Sequence, residues 1–124
     1  MFFNVTTAGQ SIDLGKDKNV VFLGTTKLYS QPDDEWVLVV EYETSHPVSD
    51  NKELKNESKI LWPILDKMLT PMEYQHVVLK ASEPHVGTVT MYSSFSIVLE
   101  KGADMCWREI HTKELYVSSG CSQK

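Results

Sequence analysis

Along residues 36–69 the spacing of hydrophobic positions changes from a two-residue to a helical period. Trp36, Leu38, Val40 and Tyr42 alternate with Val37, Val39, Glu41 and Glu43, which predicts a strand with one buried face and another that turns polar only at its far end. The nearer half of that strand is expected to be covered on both faces. Ser45-His46-Pro47-Val48-Ser49-Asp50 then ends the alternation. Asp50 and Glu53 stand in capping-box spacing, the grammar of a helix start. Leu54, Leu61, Trp62, Leu65, Met68 and Leu69 follow at offsets of 0, 7, 8, 11, 14 and 15 from Leu54, an apolar stripe that must lie on a sheet. Pro63 falls inside this period, where its ring and missing N–H predict a kink near Lys59–Trp62. Thr70-Pro71-Met72-Glu73 repeats helix-start grammar, so the helix is expected to end near Leu69 with a short turn after it.

The flanking segments are read in the same way. Residues 1–18 form an irregular arm, because Gly9, Gly15 and Lys16-Asp17-Lys18 interrupt any period around Ile12 and Leu14. Asn19–Tyr29 predicts a strand with Val20, Phe22 and Leu28 on one face and a bulge at Gly24, and Gln31–Glu35 carries the chemistry of a hairpin turn. After the helix, strands are expected at Gln75–Ser82, at Phe95–Glu100 and at Met105–Ile110, the last two joined by a turn at Lys101–Asp104. Leu115–Val117 could add a further edge strand, outside the main order, before residues 118–124 fray. The sum is one domain over residues 1–124. The fold class expected is α+β in two layers, one kinked amphipathic helix on a mostly antiparallel sheet, in the order β-β-α-β-β-β.

Composition narrows the partners. The 124 residues suffice for a single core, and 41% hydrophobic with 23% charged residues is ordinary globular composition, which excludes disordered, collagen-like and coiled-coil classes. Seventeen acidic against twelve basic side chains give a net charge of -5, and the basic residues are scattered, so neither nucleic acid nor a membrane surface is the expected partner. No apolar run approaches the roughly 18 residues of a membrane span. A cytoplasmic product is expected if Met1 is the native start, and a periplasmic or secreted one if a signal peptide was removed.

The candidate chemistry is sparse. Cys106 and Cys121 are separated by 14 residues, which fits neither a CxxC redox pair nor a four-ligand zinc cage. They read either as a disulfide tying the tail to the last strand, worth ~3 kcal/mol if unstrained, or as two reduced thiols. His46, His76, His85 and His111 show no metal-ligand spacing, and no metal or other cofactor is expected. Glu41 and Glu43 project from one strand face about 7 Å apart, a spacing compatible with glycosidase carboxylates but expected to solvate an open sheet face. Asp33-Asp34-Glu35 lacks the spaced ligands of a calcium loop. No nucleophile elbow or phosphate-binding glycine loop occurs. Most aromatics are expected in the core. The break at Pro63 nevertheless points to a pocket or subunit contact between Trp62, Tyr42 and Phe95, with Glu41 and Glu43 near its mouth.

The succession Trp36-x-Leu38-Val39-x-x-Tyr42-x-Thr44, Asp50-x-x-x-Leu54-x-x-Glu57-x-x-x-x-Trp62-Pro63 and Glu100-Lys101-Gly102-Ala103-Asp104-x-x-Trp107 resembles a group of small bacterial proteins of unknown function. Met105-Cys106 stands where that pattern has a simpler turn. The resemblance implies a bacterial origin and no activity. Acidity, small size and the lack of a catalytic constellation make the function expected a non-catalytic binding module that acts on itself as a homodimer or on a protein partner, in the manner of an immunity or antitoxin protein. The alternative is a small-ligand binder or enzyme with a cleft between helix and sheet.

Overall fold

The structure is a computed structural model of the chain, and it describes residues 10–15, 18–32, 34–44, 46–69, 73–83 and 94–117. Seven strands and one helix occur among them: β1 (Gln10–Gly15), β2 (Lys18–Ser30), β3 (Glu35–Glu43), α1 (Asn51–Leu69), β4 (His76–Ser82), β5 (Ser94–Lys101), β6 (Trp107–Glu109) and β7 (Leu115–Tyr116). All seven strands belong to one sheet in chain order, β1 to β7. The pairing of β3 with β4 is parallel and the other five ladders are antiparallel. Because β3 and β4 run in the same direction, the chain between them must cross back over the sheet, and α1 is that crossover.

This architecture overturns the expected two-layer α+β fold with order β-β-α-β-β-β. The sheet is a curled half-barrel, with 53% of the described residues in strands and 22% in helix, so the protein is mostly sheet. The reason lies in the core. Ile12 of β1, Val20 and Phe22 of β2, Leu38, Val40 and Tyr42 of β3, Val77, Leu79 and Ala81 of β4, Ile97 and Leu99 of β5, Trp107 of β6 and Tyr116 of β7 all join one cluster with Leu54, Leu61, Trp62 and Leu65 of α1. A single cluster that draws on all seven strands and on the helix fits a sheet that wraps around that helix. A flat sheet of this width would leave its edges uncovered, and twist accumulated from strand to strand supplies the curl.

One strand was hidden in a short pattern, whereas the edge strand expected at Leu115–Val117 is present as β7. The arm expected over residues 1–18 contains β1, whose Ile12 is buried and whose turn is closed by the Asp13 carboxylate accepting the Gly15 N–H at 2.8 Å. Two apolar residues suffice for an edge strand but not for a recognisable period. Residues 1–9 and 118–124 lie outside the described residues, as do Thr70, Pro71 and Met72 of the turn expected after the helix.

In β2 the bulge at Gly24 changes which residues face the core. The register shifts between Phe22 and Gly24, where Gly24 has φ of 142°, a conformation that favours glycine. Before the bulge, Val20 and Phe22 point at the helix. After it, Thr25, Lys27 and Tyr29 lie opposite Val40, Leu38 and Trp36, and cross-strand partners share a face. Leu28 is therefore turned to the outer face, 55% exposed, rather than sharing a face with Val20 and Phe22.

The helix starts as its sequence predicts: the Asp50 carboxylate accepts the Glu53 N–H at 3.4 Å and the Asp50 carbonyl accepts the Leu54 N–H at 3.1 Å. The Asp50 N–H goes to the Pro47 carbonyl at 3.0 Å, in place of the reciprocal Glu53 bond of a full capping box. Pro63 does not divide the helix, which runs as one element to Leu69. A proline inside a helix costs about 3 kcal/mol, whereas burying a side chain such as Leu61, Trp62 or Leu65 contributes roughly 1.5–3 kcal/mol each. All three are inaccessible to solvent, so packing outweighs the lost bond. Met68, expected in the stripe, is exposed.

Candidate functional site

The half-barrel has two chemically different ends, and the core stripe of β3 leads to both. At the β3 start the stripe emerges from under the helix. Leu38 is buried and Trp36, in the same phase, is 55% exposed. Trp36 meets Tyr29 edge-on, with ring centroids 5.2 Å apart. Here a cleft of about 720 Å³ opens between the β2–β3 hairpin, the segment that follows the helix and the end of β5, lined by Lys27, Glu35, Trp36, Glu73, Tyr74, Gln75 and Lys101. The Lys27 ammonium stands 6.0 Å from the centroid of the Tyr74 ring, within the range of cation–π attraction. The Lys101 N–H donates to the Gln75 carbonyl at 3.0 Å, and the Gln75 amide nitrogen donates back to the Lys101 carbonyl. Those two bonds fix the segment after the helix to the end of β5.

Three side chains brace the rim of this cleft on the outer side of the sheet. The His76 ring lies with Nδ1 2.7 Å from Glu35 and Nε2 3.4 Å from Glu100. One imidazole thus links β3, β4 and β5 and engages the Glu35 carboxylate.

At the opposite end, Tyr42 and Glu57 meet in the core. The Glu57 side chain is 2% exposed, and its Oε2 lies 3.8 Å from Nε2 of His46. Neither carboxylate oxygen has a hydrogen-bond partner, nor do the Tyr42 hydroxyl and the indole nitrogens of Trp62 and Trp107. Burial pushes the Glu57 carboxyl above its ordinary value, opposed by the nearby Thr44 hydroxyl, His46 and Lys18. Burial likewise raises the Tyr42 phenol, reinforced by Glu57 and Tyr116. A neutral carboxyl is the form such surroundings favour. Beside this pair the Ser58 hydroxyl donates to the Lys55 carbonyl at 2.7 Å and lies 2.8 Å from the Tyr116 hydroxyl.

The residues singled out from the sequence fall as follows. Trp62 and Tyr42 are both in the core, and Trp62 packs edge-on against Trp107 with centroids 5.4 Å apart. Phe95 is half-buried against the same cluster. The cleft shares no residue with these three. Glu41 and Glu43 are half-buried in β3 and take no part in the cleft. Cys106 is buried, whereas Cys121, its partner in the disulfide reading, lies outside the described residues, as does His85. His46 and His76 both engage carboxylates, and His111 is exposed. Among the described residues no group of His, Cys, Asp and Glu could hold a metal ion, and no helix is long and apolar enough to cross a membrane.

The cleft residues were reachable only in part. Trp36 carries a signal, being the first residue of the β3 stripe, next to the turn. Lys27, Glu73, Tyr74, Gln75 and Lys101 come together only through the crossover and the bulge. Glu57 was legible: at three residues from Leu54 it is a charged residue in phase with the apolar stripe.

Compared with family models, with curated proteins and with solved structures, the chain matches none, so the chemistry of its own residues carries the functional reading.

Proposed function

We propose that this protein is a non-catalytic binding domain whose recognition site is the cleft at the open end of the half-barrel, and that its ligand is a small organic molecule. The observation that carries the reading is the exposure of Trp36. Large aromatic rings standing in solvent at the wall of a concave, partly apolar site are typical of ligand recognition. The paired backbone and amide bonds between Gln75 and Lys101 keep the opposite wall in place before a ligand arrives, which lowers the ordering cost of binding. A protein partner or a second copy of the chain is the second reading. It draws support from Leu28, which stands exposed on the outer face beside Val37.

Light scattering after size exclusion, beside a thermal-shift screen of metabolites, separates the two. A monomer stabilised by a small molecule, with stabilisation lost in Trp36→Ala, is the expected result. A dimer indifferent to every compound favours the partner reading instead.

A further inference from the structure

We propose that His46 and Glu57, at the end of the half-barrel away from the cleft, form a proton-operated latch. It fastens the connection between β3 and α1 to the helix and releases it when the pair loses its last proton.

The latch rests on where the two side chains stand. Glu57 is buried on α1, and the His46 ring 3.8 Å away is 21% exposed, so the imidazole meets the carboxyl on one side and water on the other. With one proton between them they are either imidazolium and carboxylate or imidazole and carboxylic acid, and as a pair both forms are neutral. Loss of that proton leaves a buried carboxylate beside a neutral ring, a state that the interior strongly disfavours.

The other groups facing Glu57 do not replace the proton. Lys18 of β2 acts on it from a distance and is exposed, where water screens its charge. The Thr44 hydroxyl, at the end of β3, favours the charged form but carries no charge. Tyr42 of β3 and Tyr116 of β7, which faces Tyr42, are phenols whose protons burial holds far above neutrality. On the connection itself, Glu83 accepts the Val48 N–H and Asp50 accepts the Glu53 N–H, so both act on backbone rather than on the pair.

The segment that the latch holds has few bonds of its own. Residues 46–50 belong to neither strand nor helix. The His46 N–H donates to the Thr44 hydroxyl at 3.1 Å, the Val48 N–H to Glu83 at 3.0 Å and the Asp50 N–H to the Pro47 carbonyl at 3.0 Å. Segments held this way open locally at low cost. Opening brings water to Glu57, so the closed form binds the proton more tightly than the open one, and rising pH favours opening. Imidazoles change charge near neutrality, which places the release there.

Amide hydrogen exchange of the full chain, read by NMR at Val48, Asp50, Val40 and Leu79 and corrected for intrinsic rates, tests the latch. Protection of Val48 and Asp50 is expected to fall about tenfold between pH 6 and pH 8. Low concentrations of urea should barely change their rates, whereas Val40 and Leu79 should exchange through urea-sensitive unfolding. In Glu57→Gln the protection of Val48 and Asp50 should no longer depend on pH. In His46→Gln the fall should move to lower pH, because Glu57 alone then carries the proton. Protection that does not change with pH in the wild type, or that changes equally in Glu57→Gln, overturns the latch. So does a fall in His46→Gln at the wild-type pH, which decides the matter if Glu57→Gln does not fold.

Discussion

The Tyr116 hydroxyl lies 2.8 Å from the Ser58 hydroxyl, so the last strand of the sheet is bonded to the middle of the helix that the sheet encloses. Ser58 gives its proton to the Lys55 carbonyl, which leaves its oxygen to accept the proton of Tyr116. Two ion pairs run beside this bond, Lys55 to Glu109 at 3.5 Å and Lys59 to Glu114 at 2.8 Å. β7 is only two residues long, and these contacts hold it.

Removing the phenol by Tyr116→Phe is expected to cost about 1 kcal/mol, read from the urea midpoint. A pH dependence should accompany it. Burial pushes the Tyr116 phenol up to about 12, with the Ser58 bond opposing and Glu109 and Glu114 adding to the rise. The native state keeps this proton longer than the unfolded chain. Stability is therefore complete below about 10 and declines as pH rises from there through 12. Tyr42 shifts in the same direction, so the variant should reduce that decline without abolishing it.

Glu57 works the same way at lower pH. Its raised native pKa means that the folded state binds the proton more tightly than the unfolded one. Stability is highest below the ordinary carboxylate value and declines as pH rises through the raised native value. Glu57→Gln should flatten that decline and make the protein more stable at pH 7, by about 1 kcal/mol on the scale of an unsatisfied buried group. Urea unfolding from pH 4 to pH 8 measures both. A loss of stability at pH 7 would mean that the contact with His46 outweighs the burial of the charge.

Gly24→Ala tests the bulge. A Cβ at this position would meet nothing within 4 Å, so any cost is in the backbone, which alanine disfavours at a φ of 142°. A loss of about 1 kcal/mol or more is expected, with faster amide exchange in the half of β2 beyond the bulge. At Gly102 the cost has a different origin, since a Cβ there would stand 2.8 Å from the Asp104 carboxylate. That carboxylate is held down to about 2 by Arg108 and the Cys106 N–H.

The pairing of Cys106 with Cys121 remains a proposal that mass can decide. An intact chain about 2 Da lighter than its reduced form carries the S–S bond, and its reduction is then expected to lower stability by ~3 kcal/mol. Identical masses before and after reduction would rule the bond out.

The sequence made the middle of this fold legible and its edges much less so. Leu38, Val40 and Tyr42, and then Leu54, Leu61, Trp62 and Leu65, repeat often enough for their periods to be read. The capping Asp50 marks a boundary that no tertiary contact needs to define. Ile12 and Tyr116 also sit in the core, but in strands too short to display a period. Leu28 misleads because the bulge, an event of one residue, reverses the faces of everything after it. Trp36 has the phase of a core residue, yet it stands 55% exposed at the start of β3, which its alternation alone does not disclose. Pro63 sits inside a helix that continues through it to Leu69, with Leu61, Trp62 and Leu65 buried around it.

The sheet order has a consequence for how the molecule is made. Since spatial order follows chain order, every antiparallel ladder joins strands that are neighbours in the chain, and only the β3–β4 ladder closes over a long segment. A chain severed between Leu69 and Glu73 would keep β1 to β3 with the helix in one fragment and β4 to β7 in the other. Each fragment would retain all of its local pairings, and the energetically demanding step, ordering a long loop before any contact rewards it, would become the meeting of two pieces. Such fragments are expected to reassemble when mixed, which makes the parallel ladder the seam along which the half-barrel is joined.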